Sequence, residues 1–594
     1  MSASFRSLPL VAGLCGLLGA CTGNVGDVGS HGSGSNSGSG AGTGSGGGGT
    51  TGTGGGSGSG SGGSQVGSGG SGSGGTGSGG SSGSGGTAAP APLSVILDGK
   101  PVNSRFVRLT NEQWENAVRD VLQLSAAPGL SSTFEGAPPN GNFSNNERAL
   151  FITSGLWDDY QTAAEALSQQ VVRDATALGK LTGGATTAAA FIPAFGRRAY
   201  RRDLTSAEVT RYTTLFNSGA TVFNSGNAFT DGVQLVVETM LKSPYFLYRV
   251  ETANAGQSLG GYEVAAKLSF LLRNTTPDAA LLDAAKTGGF GSPDQIATQA
   301  QTLLDGAPAR ATFQRFHTEL FGIDRYRNIE KDATAFPSFN ASMAADLQAA
   351  DSQFFDYVFD NGLGLKDLLL SQVAFVNQTT APLYGMTATG TAFKQVQLGS
   401  DRPGYFTRAG FLALNGTLRN PDPIRRGVDI IRRVMGNANF SPPDGVVITP
   451  VPPAKSGQTN REAVDAHTGP GTCGASCHGS YINPLGFAFE NLDALGQTRT
   501  MDAGKPVDTT GSFPFADGAK SFADAPSLLK MIADDPNAQL TYAAHLAEFF
   551  LSRDIAEADR AYVQSLASMP SGSVKQMALA IIKSDAFTKR GTTP

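Results

Sequence analysis

Cysteine is scarce: the 594 residues hold four, and two of them, Cys15 and Cys21, lie in the first 21 positions. Residues 88–594 keep only Cys473 and Cys477. One close pair in so long a stretch excludes a framework of disulfides and marks a site. The N-terminal apolar run Leu8–Leu18 is about half of the roughly 20 residues a membrane-spanning helix needs, which argues against a permanent transmembrane anchor there. No block of Lys and Arg stands out and the formal net charge is −5, which argues against nucleic acid as a partner. There is no serine-hydrolase elbow, no phosphate-binding P-loop, no His-Glu-x-x-His zinc motif and no long internal repeat.

The N-terminus reads MSASFRSLPLVAGLCGLLGAC. Arg6, the short apolar run and the small residues Gly19 and Ala20 describe a signal peptide over 1–20. Leu18-Gly19-Ala20-Cys21 resembles the bacterial lipobox. That resemblance implies cleavage before Cys21 and lipidation of its thiol and new amino group, with several acyl chains needed to hold firmly. Thr22, where an Asp would retain the chain, implies passage to the outer membrane. Residues 21–87 then form the lipid anchor and a linker of almost pure Gly, Ser and Thr. Such a segment lacks the apolar surface to offset its ordering entropy, so it is expected to be a disordered tether spanning about 45–50 Å. His31 lies in it and is read as a solvated linker residue.

The body reads as mainly α. Thr110-Asn-Glu-Gln113, Thr205-Ser-Ala-Glu208 and Ser292-Pro-Asp-Gln295 are capping-box patterns. Helical apolar spacing covers about 155–175, 228–243, 261–273, 308–322, 342–360, 424–435, 525–534, 539–552 and 571–585. Strand-like alternation is confined to Ser94–Leu97, Ala374–Asn377 and Thr498–Phe513. The Pro-rich stretch 442–453 reads as a surface linker. The expected fold class is therefore multi-helical, with several consecutive helical subdomains and a few short strands behind the Gly/Ser-rich tether.

The chemistry concentrates in Cys473-Gly-Ala-Ser-Cys477-His478. In c-type haem attachment two thiols hold the porphyrin and the following histidine ligates iron, with two residues between the cysteines. Here there are three. The extra residue could bulge out at Gly474, whose backbone is permissive, or the group could have been lost. A Cys473–Cys477 disulfide competes, because four residues of helix rise about 6 Å, within disulfide reach. A zinc site of His467, Cys473, Cys477 and His478 would require sequence neighbours Cys477 and His478 to reach one tetrahedral ion. Free thiols fit poorly with an oxidising compartment. Met501 and His467 are candidate distal ligands, with Met531 further off.

Several motifs in order resemble a planctomycete-type, cytochrome-like multidomain family of unknown function that is also abundant in myxobacteria. They are Arg108-Leu-Thr-Asn-Glu-Gln-Trp114 with Arg119-Asp-Val-Leu122, and Phe195-Gly-Arg-Arg-Ala-Tyr-Arg-Arg202 with Leu204-Thr205. Next come Ser243-Pro-Tyr-Phe-Leu-Tyr-Arg-Val-Glu251, Tyr262-Glu-Val-Ala-Ala-Lys-Leu-Ser269 and Pro277-Asp278. Arg408-Ala-Gly-Phe-Leu412, Pro423-Ile-Arg-Arg-Gly427, the cysteine region, Asn483-Pro-Leu-Gly-Phe487, Glu490, Asp493, Gly496 and the closing Ser584-Asp-Ala-Phe587 complete the set. The resemblance implies helical domains over 88–182, 183–245 and 246–395, a cytochrome-like domain over 396–500 and a C-terminal helical domain over 501–594. It implies c-type haem on Cys473 and Cys477, with His478 as proximal ligand. It also implies a neighbouring exported protein of unknown function as a partner, beside the membrane itself. It names no substrate.

Two arginine sets, Arg197, Arg198, Arg201, Arg202 and Arg425, Arg426, Arg432, Arg433, are read as sharing helical faces and as inter-domain salt bridges more than as propionate sites. His317 and His545 lie among aromatic and aliphatic residues and read as buried, hydrogen-bonded histidines. Glu490 and Asp493 read as pins for the loop around the cysteines. The expectation is an exported, outer-membrane-tethered lipoprotein with c-type-haem-like redox or electron-transfer function. The alternative is a non-catalytic tethered scaffold or binding protein with a Cys473–Cys477 disulfide.

Overall fold

Helix signals in the sequence correspond closely to the helices of the computed structural model. It describes residues 90–137, 142–436, 449–472, 474–570 and 572–592, all within one unit, Ala89–Pro594. The signal, Cys21, His31, the tether, Cys473 and most of the Pro-rich 442–453 stretch lie outside these residues. Among the described residues the chain is mostly helical, with short strands.

Thr110 and Thr205 each accept from the backbone N–H three residues on, while Gln113 and Glu208 reach back to the cap, so both boxes are complete. Ser292 caps its helix through Gln295 N–H alone. The spacing-derived segments become Ser154–Arg173, Ala228–Leu241, Gly261–Leu272, Ala307–Phe321, Ala341–Asp360, Pro423–Arg433, Ala525–Asp534, Pro536–Leu551 and Val574–Lys583. No helix among the described residues is long and apolar enough to cross a membrane.

Every sheet is a two-stranded antiparallel pair. Val373–Val376 pairs with Lys394–Gln397, and the 498–513 region opens into two small hairpins, Met501–Asp502 with Lys505–Pro506 and Gly511–Phe515 with Gly518–Phe522. Ser94–Leu97 differs from expectation. Its alternation is real, since Leu93, Val95 and Leu97 are buried, but it forms no strand. Its backbone instead bonds singly to distant elements, as in Ile96 N–H to Gly436 O at 3.0 Å. Alternating burial requires only an extended chain lying on a core, not a ladder partner.

The buried apolar side chains gather into two clusters. One draws on residues from Leu109 to Leu247 plus Phe270. The other joins Leu93–Leu97 and Phe143 to residues from Leu259 to Phe587. Within each cluster, buried arginines address backbone carbonyls. Arg201 donates to the carbonyls of Tyr245, Phe246 and Tyr248. Arg426, with no exposed surface, donates to those of Phe489, Leu492 and Asp493 at 2.9–3.0 Å. A guanidinium carries five donors in a rigid fork, so it can satisfy several loop carbonyls that no regular element reaches.

Of the other arginines, Arg198 donates to Leu181 O at 2.8 Å, and Arg197, Arg202, Arg425 and Arg433 pair with carboxylates. Arg197 bridges Asp203 at 3.0 Å and Asp283 at 2.6 Å, Arg202 holds Glu208 at 2.8 Å, Arg425 holds Asp422 at 3.3 Å and Arg433 holds Asp429 at 3.4 Å. The shared helical face fails at Arg201, which follows its helix in a left-handed conformation (φ 59°), so its side chain turns inward.

Candidate functional site

The cytochrome-like region is built around a helix the periodicity did not reveal, Asn460–Thr468. It opens with a complete capping box, Thr459 with Glu462. Its last turn carries His467, whose Nε2 lies 3.1 Å from Thr449 O and 3.2 Å from Thr449 Oγ1. A turn through Gly469 and Gly471 follows, and residues 475–482 wind as a π-helix running directly into the short helix Asn483–Phe487. Cys477 and His478 sit in the π segment. Its closing bond runs from Asn483 N–H to His478 O, five residues back. Such wide turns are rare and concentrate at functional sites.

Gly474 is right-handed (φ −81°, ψ −9°), a backbone that does not itself require glycine. Its lack of a side chain serves another purpose. A Cβ on Gly474 would stand 3.2 Å from His478 Cδ2 and 3.4 Å from Thr468 O, so the imidazole lies against that backbone. The helix Pro423–Arg433 supports the segment from behind. Gly427 and Gly486 let it approach so closely that a Cβ on either would overlap backbone, of Ile482 and Pro423 respectively.

Cys477 is half-buried with a free thiol among the described residues. His478 is also half-buried, and its Nδ1 is buried without a hydrogen-bond partner among them. Burial lowers its proton affinity, the Asn483 side chain works against that, and the nearby His467 charge adds to it. The net effect favours the neutral imidazole, the form that ligates metals. The structure thus groups Cys477, His478 and His467. Met501 stands on its hairpin 52 % exposed, and Met531 packs partly buried against the large core. No cluster of three or more His, Cys, Asp and Glu suited to a metal ion occurs among the described residues.

Glu490 and Asp493 act as pins. Glu490 is 1 % exposed, meets Arg499 at 2.8 Å and accepts from Asn460 Nδ2 at 3.1 Å on both oxygens. Burial pushes its pKa up against the pull of Arg499 and Arg426. Asp493 accepts from Leu495 and Gln497 N–H, each at 2.8 Å. His317 is fully buried, with Nδ1 at 2.9 Å from Phe313 O and Nε2 at 2.9 Å from Tyr542 OH, and burial drives its pKa down to about 3. His545 is 9 % exposed and packs edge-on to Phe143.

Residue-by-residue reading did not single out Asn483 and Thr468. The signal was present, since Asn483 opens the Asn-Pro-Leu-Gly-Phe motif, but its role depends on what the π turn sets beside it.

Four regions match known families, all described as proteins of unknown function. They are PSD3 (DUF1587) at 108–173, PSD5 (DUF1595) at 187–251, PSD4 (DUF1592) at 259–386 and PSCyt3 (DUF1588) at 402–502. No curated protein and no solved structure matches the chain. The π segment falls inside the PSCyt3 match. The chain thus contains four consecutive domains that match the planctomycete cytochrome-like PSD and PSCyt families, whose function is unknown.

Proposed function

We propose that this is a c-type-haem-like redox or electron-transfer protein, exported and held at the outer membrane through Cys21. Cys473 and Cys477 are the attachment thiols and His478 the proximal ligand. The observation that carries the reading is the pairing, on one rare π turn, of a Cys477 thiol that is free among the described residues with the half-buried imidazole of His478. These are the donor types that a c-type haem takes. A turn closed over five residues holds one more residue than an α turn, which suits a spacing one residue longer than usual. The bound group would supply one-electron chemistry at a potential set by its axial ligands and burial.

The chain's own part is to hold His478 against Gly474, to keep it neutral by burial, and to brace the segment with Arg426 and the Glu490–Arg499 pair. His467 is the nearer candidate distal ligand, although its Nε2 is engaged by Thr449. Met501 would have to leave its exposed hairpin position. An exported protein encoded alongside is the proposed redox partner.

The test is the visible spectrum of the full chain from a host with c-type haem maturation, oxidised and dithionite-reduced. The expected result is a Soret band that survives acid–acetone extraction. Mass spectrometry of the same sample should show acylated Cys21 as the first residue. A bare protein spectrum with a two-hydrogen loss across Cys473 and Cys477 would overturn the haem reading in favour of a tethered scaffold.

A further inference from the structure

Asn483 is 1 % exposed, and its amide orientation is dictated by its neighbours. Thr468 Oγ1 gives its proton to Val464 O at 2.8 Å, so toward Asn483 it can only accept, and it does so from Nδ2 at 3.0 Å. Asp465 Oδ1, also an acceptor, lies 3.4 Å from the same nitrogen. The NH2 group therefore points to the helix Asn460–Thr468, and Oδ1 points away from it. That oxygen is buried and has no hydrogen-bond partner among the described residues, and the same holds for Nδ1 of His478. The two residues are already joined through the backbone, with Asn483 N–H donating to His478 O across the π turn. Buried polar atoms are rarely left unpaired. A carbonyl oxygen can only accept, so a ring nitrogen that pairs with it must donate.

We infer that Asn483 is a positioning residue that fixes His478 in the Nδ1–H tautomer, holding Nε2 as the free, lone-pair nitrogen for a metal or haem iron. The inference rests on His478 being a ligand for its purpose, but not for its geometry. An outer carbonyl that takes one ring proton is the usual way a protein commits the other nitrogen to coordination. The π turn brings the two residues into register, because its bonds join residues five apart, as Asn483 N–H to His478 O does. Gly474 completes the arrangement by allowing the ring edge to lie on the backbone.

The test uses the full chain labelled with 15N-histidine, produced in a host without c-type haem maturation. Only five histidines are present, and His478→Gln assigns the signal. Long-range 1H–15N correlation at pH 8 is expected to show the proton on Nδ1 and a lone pair on Nε2. Asn483→Leu is expected to shift the major form to Nε2–H, and Thr468→Val, which frees the amide to rotate, to give a mixture. An Nε2–H form in the unmodified chain overturns the inference, and that spectrum decides even if Asn483→Leu does not fold. The Soret experiment is independent: a chain that takes no haem yet holds Nδ1–H sinks the redox reading and leaves this one standing.

Discussion

Asp351, on the helix Ala341–Asp360, is 3 % exposed and accepts from Tyr326 OH at 2.7 Å, and that hydroxyl lies 3.1 Å from Tyr405 OH. Burial pushes its pKa up to about 7, against the Tyr326 hydrogen bond and the Arg408 charge. An unfolded Asp titrates near 3.9. The folded protein therefore holds the proton more tightly, and the stability this gives is complete below about pH 3.9 and lost as pH rises through about 7. Asp351→Asn keeps an acceptor for Tyr326 and removes the charge. Its melting temperature is expected to fall less between pH 5 and pH 8 than that of the unmodified chain, reflecting a term on the order of several kcal/mol. Equal pH slopes for the two proteins would rule the assignment out. Nothing in the spacing around Asp351 announces this, because the tyrosine at 405 reaches it only in the fold.

At the scale of elements, capped and periodic helices were legible because their signals are local: a Thr or Ser three residues before an acceptor, and apolar residues at helical spacing. The helix Asn460–Thr468 escaped because only Ala463, Val464 and Thr468 are buried in it, too few to show a period. The π segment escaped because it has no propensity of its own. It lies between the helix Asn460–Thr468 and the Asn483–Phe487 turn, which packs closely on Pro423–Arg433. Deleting the exposed Ser476 converts the spacing to C-x-x-C-H and is expected to tighten the segment to an α turn. Under the haem reading, Soret absorbance per protein should rise in a maturation-competent host. Loading that stays the same or falls would mean that the wide turn is not what limits attachment.

At the scale of the whole molecule, the chain enters its folded body by stitching itself to the far end of the sequence. Asn537 Nδ2 donates to Leu93 O at 2.7 Å, Arg560 to Val95 O at 2.9 Å and Arg590 to Asn103 O at 3.1 Å. Tyr481, in the π segment, donates to Ala91 O at 2.8 Å. The point where the linker joins the body thus touches the candidate site. Removing residues 22–87 is expected to leave the denaturation midpoint unchanged. Removing 22–104 strips three buried side chains, each about 1.5–3 kcal/mol, from a fold whose total stability is on the order of 5–15 kcal/mol. That variant should unfold at far lower denaturant or fail to fold. Equal midpoints would show that the entry segment is an ornament.

The sequence alone determined the helical class, the capped helix starts at Thr110 and Thr205 and a strand within one residue of Ala374–Asn377, because capping and periodicity act over a few neighbours. Tertiary structure alone decided the rest. It made buried arginines into carbonyl clamps, since a guanidinium's partners come from loops as far as 94 residues away. It laid the alternating Leu93–Leu97 stretch on a core without a strand partner. It also left Asn483 Oδ1 and His478 Nδ1 both buried on residues five apart across one π turn, because the pitch of a turn depends on what packs on either side of it.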